Sequence, residues 1–277
     1  MSTIHGILGR PYFSLEEHLD LGELDAVHEE ICLGLTRVPV DYTGGSHRTM
    51  GIMPPSRAGE ALGDYGEAIR AMSRDELVRF RDLADDPGSI DLDAPGGDEG
   101  YLEFGEERAH PLSRRQMLYL KYRYRVYFPW KVYYEMIPNR RWEDKHVAAG
   151  KAFTREAQAL FPRTVAFLKR LPFEAIGRAN LLGLEAHDHG TVHRDCDPAE
   201  GAEPAHFITL CPRGDKRLFL WDEAAREKVP VAGRAYWFHD GDYHGVDADP
   251  FFRYSIRVDG VFQQDFLASL RETAGPR

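Results

Sequence analysis

Between Leu21 and Cys32 apolar residues recur at steps of three and four, placing Leu21, Leu24, Val27 and Ile31 on one side of a helical wheel. The spacing predicts a packing helix. A second helix is predicted over residues 73–83, because Ser73 can cap its first turn while Glu76, three residues on, reaches back to it. A longer helical stretch runs over residues 142–170, with Ala148, Phe153, Ala157, Leu160, Phe161 and Phe167 as packing candidates; Pro162 kinks it or starts a new helix, and Pro172 ends it. From about residue 176 the period changes. ANLLGLEA, GTVHRD, HFITL, KRLFLWD, RAYWFHD and FRYSIRV are short β-type runs bounded by Gly, Pro and Asp, which predict a barrel or sandwich of short strands. The segment 211–216, CPRGDK, joins HFITL to RLFLW and predicts a hairpin connection. The expected fold is α+β without the βαβ alternation of a parallel sheet: one domain over 1–277, mainly helical over 1–175, a β core over 176–262 and a tail over 263–277.

Two segments interrupt this pattern. Residues 85–111 are rich in Gly, Pro and acid, which predicts a loop or disordered insertion and a candidate lid. Residues 41–55, DYTGGSHRTMGIMPP, predict a structural loop in which His47 and Arg48 stand beside two glycines as candidates to close over a ligand.

Composition narrows the partners. With 43% hydrophobic and 29% charged residues in 277, the chain is globular rather than fibrous or disordered. No apolar run reaches a membrane span, and the start MSTIHGILGRPYFS lacks a basic segment followed by an apolar one, so a cytoplasmic protein is expected. Cys32, Cys196 and Cys211 are an odd number without CxxC spacing, which predicts reduced thiols rather than disulfides or a thiolate zinc site. The formal charge of −10 opposes nucleic-acid binding. One stretch, residues 114–131 (RRQMLYLKYRYRVYFPWK), interleaves cations with aromatics as single-strand binders do. In so acidic a chain it is better explained as an amphipathic element, with Arg123, Arg125 and Lys131 as candidates to meet an anionic group on a substrate. Phosphate-loop, GxGxxG, GxSxG and HExxH motifs are absent.

The sharpest chemical feature is His193-Arg194-Asp195. Residues two apart on a strand share a face, so this imidazole and carboxylate can meet one metal ion. His244, in GDYHGV, is a candidate third ligand. Two histidines and a carboxylate with open positions suit non-haem Fe(II) and O2 chemistry. Nine residues later Arg253 begins an alternation with Ser255 and Arg257, and an inward Arg beside a hydroxyl is a receptor for a carboxylate.

In these residues the segment 176–262 resembles the Fe(II)/2-oxoglutarate-dependent oxygenases, whose HxD…H triad and following RxS match His193, Asp195, His244, Arg253 and Ser255. WFHDGDYHGVD followed by RYSIRVDG is most similar to the branch holding aspartyl/asparaginyl and proline hydroxylases; the N-terminal half resembles no family. The resemblance implies a double-stranded β-helix, a jelly-roll or cupin-like barrel flanked by the N-terminal helices. It also implies a dioxygenase with Fe(II) on His193, Asp195 and His244 and with 2-oxoglutarate, whose far carboxylate meets Arg253 and Ser255, as cosubstrate alongside O2. The implied reaction hydroxylates an unactivated C–H of an amino acid, a peptidyl residue or an amino-acid-derived molecule, with succinate and CO2 as co-products. Asp195 stands where halogenases of this family carry a Gly or Ala; desaturation, epoxidation and ring formation share the triad and stay open.

Several residues compete for these roles. His187 and His189 have the parity of His193 on an unbroken strand, but Gly190 interrupts it and makes them turn or mouth residues. His239 competes with His244, and the DGD turn between them favours His244. Arg257 competes with Arg253; four strand residues span about 13 Å, so only one lies at the depth of the cosubstrate, and Ser255 favours Arg253. Arg217 faces either the cavity or the rim. Two other classes fit the same residues, a cupin-like metal enzyme without 2-oxoglutarate and a non-catalytic binding protein with an incidental HxD. Oligomeric state has no sequence signal.

Overall fold

A computed structural model of the chain describes residues 2–38, 53–57, 65–93, 112–128, 131–139, 142–198 and 203–275. The expected loops fall mostly elsewhere: His47, Arg48 and residues 94–111 lie outside the described residues.

Helix α1 (Leu24–Leu35) forms where the apolar stripe predicts it, and buries Leu24, Val27, Ile31 and Leu35. It lies against a helix pair, α5 (Arg155–Leu160) and α6 (Pro162–Leu168), which Pro162 divides by taking the first position of α6. The Glu30 carboxylate on α1 accepts from the backbone N–H of Arg163 (2.8 Å) and Thr164 (2.7 Å), so it satisfies the open N-terminus of α6. Gly34 permits the close approach, since a Cβ there would lie 2.2 Å from the Phe161 ring.

Three more helices build a separate small core. In α3 (Arg74–Arg81) both halves of the predicted Ser73–Glu76 capping box are formed; α4 (Arg114–Tyr124) has an equivalent box from Ser113 and Gln116. With α2 (Tyr65–Arg70) they bury Tyr65, Ile69, Phe80, Met117, Leu120 and Phe128 together. The basic-aromatic stretch is thus largely α4. Its Met117 and Leu120 face that core, Arg115 donates to the Ala84 carbonyl (2.9 Å), and Arg123 lies 3.6 Å from Glu76.

The strands are β1 (Tyr12–Ser14), β2 (Val132–Ile137), β3 (Phe173–Leu184), β4 (Gly190–His193), β5 (Phe207–Leu210), β6 (Leu218–Asp222), β7 (Glu227–Pro230), β8 (Ala235–Phe238), β9 (His244–Val246) and β10 (Arg253–Phe262). They form two antiparallel sheets, a six-stranded one in the order β1-β8-β5-β10-β3-β2 and a four-stranded one in the order β4-β9-β6-β7. No ladder joins the two among the described residues, so the β region is a pair of sheets rather than a closed barrel. Alternation settles the faces of the smaller sheet. Leu218, Leu220 and Val246 join the main core with Phe207 and Tyr236 of the larger sheet, whereas Val192, Phe219 and Trp221 cluster on the opposite face.

Three sequence expectations change. CPRGDK is not a hairpin: β5 belongs to the six-stranded sheet and β6 to the four-stranded one, so 211–216 crosses between sheets. Gly214 at φ +66 and the Gly214 N–H bond to Cys211 O make the expected reversal. Turn residues set that reversal but not which sheet the next strand joins. The N-terminal region contributes strands β1 and β2, which are recruited to sheet edges by pairing that no local periodicity encodes. Residues 264–274, expected only as tail, form α7 (Gln264–Ala274), with Phe266, Leu267 and Leu270 buried in the main core. Cys32, Cys196 and Cys211 are all free thiols, and no helix among the described residues is long and apolar enough to cross a membrane.

Candidate metal centre

His193, the last residue of β4, pairs directly with His244, the first residue of β9. The cross-strand register therefore sets the two imidazoles side by side, with ring centroids 4.5 Å apart. Asp195 follows two residues after His193, and its backbone N–H bonds to Asp240 O at 2.9 Å, which holds it beside the pair. Its Oδ1 lies 3.5 Å from His193 Nε2 and 3.7 Å from His244 Nε2. One ligand atom from each residue lies within 4.8 Å of the others. The structure thus brings together the three residues expected to form the triad.

The hydrogen bonds around the triad orient its imidazole rings. His193 Nδ1 lies 2.8 Å from Thr191 O and His244 Nδ1 lies 2.9 Å from Asp242 O. A carbonyl only accepts, so each Nδ1 carries a proton and each Nε2 is the ring nitrogen turned toward Asp195. This outer support is what metal-binding histidines need. The Asp242 carboxylate is itself anchored by the backbone N–H groups of His5 (2.7 Å) and Gly6 (2.8 Å), so the N-terminal segment braces the turn before His244.

Arg257 organises the third ligand. From β10 in the opposite sheet its Nη1 donates to Asp195 Oδ2 at 2.8 Å, and its Nε donates to Asp259 Oδ1 at 3.1 Å. With Oδ2 occupied, Oδ1 is the oxygen that faces the histidines. Burial alone would raise the Asp195 carboxyl, but the Arg257 guanidinium and the two imidazoles override it and hold it well below the usual carboxylate range. Burial, reinforced by the neighbouring His193 ring, pushes His244 down to about 4. Near neutral pH the site therefore presents a neutral imidazole at His244 and an ionised carboxylate at Asp195. Ligand bonds near 2.1 Å put adjacent donor atoms about 3 Å apart, so a small closure of the present spacing fits a divalent ion such as Fe(II).

The competing residues separate clearly. His187 (φ +66) and His189 sit in the turn between β3 and β4, where the His189 ring stacks on Tyr127 at 4.9 Å. His239 Nδ1 accepts from Gly241 N–H at 3.0 Å, and His239 is not among the clustered ligands. Arg217 lies 2.8 Å from Asp249 and is largely exposed, as a rim residue. Ser255 and Arg257 share the inward face of β10 with Arg253, but the Arg253 guanidinium is engaged with loop carbonyls. Nη1 donates to Glu185 O (3.0 Å), Nη2 donates to Asp247 O (2.8 Å) and Asp188 O, and Nε lies 3.2 Å from Asp249.

Two neighbours, Lys145 and Lys216, were not visible as site residues in the sequence, and neither was the contact that Arg257 makes. Lys145, on a short 3-10 turn at Trp142–His146, is buried and bonds Asp240 at 3.0 Å beneath Asp195. Lys216, inside the segment with a turn signature, is buried and donates to Ser255 Oγ at 2.6 Å. The reach of Arg257 to Asp195 depends on a contact between sheets. Only the alternation of Arg253, Ser255 and Arg257 signalled that polar residues line an interior face.

No family model matches the chain, and no curated protein matches it either. Among solved structures, a Pseudomonas putida prolyl-4-hydroxylase is similar over 39% of this chain and 61% of that chain, at 11% identity and a TM-score of 0.24. A likeness of that size establishes neither fold nor activity. The chemical case rests on the residues above.

Proposed function

We propose that the chain is an Fe(II)- and 2-oxoglutarate-dependent oxygenase, its two sheets being the halves of a double-stranded β-helix, that hydroxylates an unactivated C–H of an amino acid, a peptidyl residue or an amino-acid-derived molecule. The observation that carries this reading is the convergence of His193 Nε2, His244 Nε2 and Asp195 Oδ1 with both Nδ1–H groups tied to carbonyls. Two imidazoles and one carboxylate would hold a divalent ion and leave positions open. When bound, Fe(II) would supply O2 activation coupled to oxidative decarboxylation of the 2-oxo acid to succinate. The chain's own residues orient the donor atoms, and Arg257 keeps Asp195 ionised.

A second reading, a cupin-like metal enzyme without 2-oxoglutarate, draws support from Arg253, whose N–H groups already serve the loop carbonyls. Conversion of 2-oxoglutarate to succinate, dependent on Fe(II) and O2, separates the two. The proposed function predicts conversion, stimulated by substrate and lost in His193→Ala and His244→Ala. Retention of turnover in either variant would remove the triad from the account, and metal-dependent activity without succinate would establish the second reading.

A further inference from the structure

The parity that turns Arg253, Ser255 and Arg257 toward the smaller sheet turns Tyr254 the other way, toward α1. There His28 Nδ1 lies 3.0 Å from the Tyr254 hydroxyl oxygen, and the two rings stand 5.8 Å apart with their planes at 9°. Phe252 continues the stack, 6.1 Å from Tyr254 at 22°. Gly183, opposite Tyr254 in the ladder, makes room for it, since a Cβ there would lie 2.8 Å from the Phe252 ring. These three nearly parallel rings line a cavity of about 410 Å³, which Cys32 of α1, Phe251, and Arg213 and Asp215 of the crossing between sheets complete. Small-molecule sites usually measure about 300–1,000 Å³. Phe251 is 46% exposed, so apolar surface stays open to solvent beside the cavity. The triad is elsewhere: it meets the opposite face of β10 at Arg257, three strand residues or about 10 Å from Tyr254.

We propose that this cavity binds a planar aromatic carboxylate, its ring against Phe252 and Tyr254 and its carboxylate on the guanidinium of Arg213. The site is independent of the proposed oxygenase activity. Shape supports it, because parallel rings accept a flat partner by offset stacking and reject a puckered one. Charge supports it as well. Arg213 meets Asp215 through Nε, 3.2 Å from Oδ2, so the edge formed by Nη1 and Nη2 is the fork that matches a carboxylate. No anion of the lining other than Asp215 competes for that fork. Burial pushes the Cys32 thiol up more than Arg213 draws it down, and burial likewise pushes the Tyr254 phenol well above its ordinary value, so both are neutral near pH 7. Arg253 also borders the cavity, but its guanidinium serves the carbonyls of Glu185 and Asp247.

The test uses the full chain in chelator and three probes: 2-naphthoate, its uncharged counterpart 2-naphthamide, and decahydro-2-naphthoate, which keeps the carboxylate on a saturated, puckered skeleton. Calorimetric titration should show 2-naphthoate binding wild type at least about tenfold more tightly than either of the others. Arg213→Met, a change at a side chain 63% exposed, should weaken 2-naphthoate roughly tenfold and leave 2-naphthamide within about threefold. Location is read on wild type without any substitution. Cys32 is exposed and lines the cavity, so saturating 2-naphthoate should slow its alkylation by N-ethylmaleimide at least about fivefold, scored by peptide mass spectrometry, while Cys196 keeps its rate. Absence of 2-naphthoate binding overturns the proposal, as does binding that leaves the Cys32 rate unchanged. Equal affinity for wild type and Arg213→Met overturns the carboxylate assignment, and equal affinity for 2-naphthoate and its saturated counterpart overturns the requirement for a planar ring.

Discussion

Replacing Arg257 with Met would remove one guanidinium that serves two buried acids. In metal-free protein Arg257 is the cation that bonds Asp195 at 2.8 Å and Asp259 at 3.1 Å; it is 8% exposed, and Asp259 is fully buried. Removing one partner of a buried pair costs about 3–5 kcal/mol, because the charge left behind has lost its solvation. Domain stability is commonly about 5–15 kcal/mol, so Arg257→Met should lose a large fraction of it near pH 7. The sign with pH follows from Asp195, whose folded carboxyl is depressed. Its stabilisation is present above the unfolded carboxylate pKa and is lost as pH falls through the folded one. The variant lacks the Arg257 contribution to that depression. The gap between wild type and variant should therefore be widest near neutrality and shrink as pH falls to about 4 and below. Denaturant unfolding of both proteins in chelator measures this directly. A loss under about 1 kcal/mol near pH 7, or a gap that stays constant into acid, would refute the electrostatic reasoning.

Three further outcomes follow from the same geometry. His244 is pushed down to about 4 from an ordinary value near 6.5, so the unfolded chain binds the extra proton between those values and metal-free stability should fall as pH drops across that window. The loss should be of order 3 kcal/mol and absent in His244→Asn, read by denaturant midpoints at a series of pH values. Gly177→Ala should lower the thermal midpoint by an amount equivalent to about 1–3 kcal/mol, because its Cβ would lie 2.3 Å from Lys145 O and displace the turn that sets Lys145 against Asp240. His193→Ala should weaken divalent-metal binding by more than the roughly 10–100-fold that outer hydrogen-bond partners are worth, measured by competition with a fluorescent chelator.

The parts of this molecule legible in its sequence are those that local chemistry specifies. Ser73 and Glu76 announce α3 because a capping box is a four-residue device, and Pro162 divides α5 from α6 because its ring bars a continuous helix. His193 and Asp195 were legible as a candidate metal pair from their spacing taken together with His244 and the Arg253–Ser255 pattern, although β4 ends at His193. Long-range pairing was not. Tyr12–Ser14 carries no periodicity to distinguish it from a loop, yet it pairs with β8, more than two hundred residues away. The segment CPRGDK advertises a turn, while the sheet joined by β6 is decided by burying Leu218 and Leu220 against the larger sheet. Lys216 is the clearest case. A lysine at the end of a Pro-Gly-Asp turn has every local sign of exposure, and only the crossing between sheets carries it inward to Ser255. Likewise, parity placed Arg253 and Arg257 on one face, but which of them meets the metal ligands depends on where the opposite sheet puts Asp195.

The most direct test of the central claim is anaerobic absorption spectroscopy of the Fe(II)-loaded protein while 2-oxoglutarate is added. The site described here predicts a weak visible charge-transfer band that saturates with one 2-oxoglutarate per chain and is absent in His193→Ala and His244→Ala. Tight Fe(II) binding with no band at any 2-oxoglutarate concentration would contradict it.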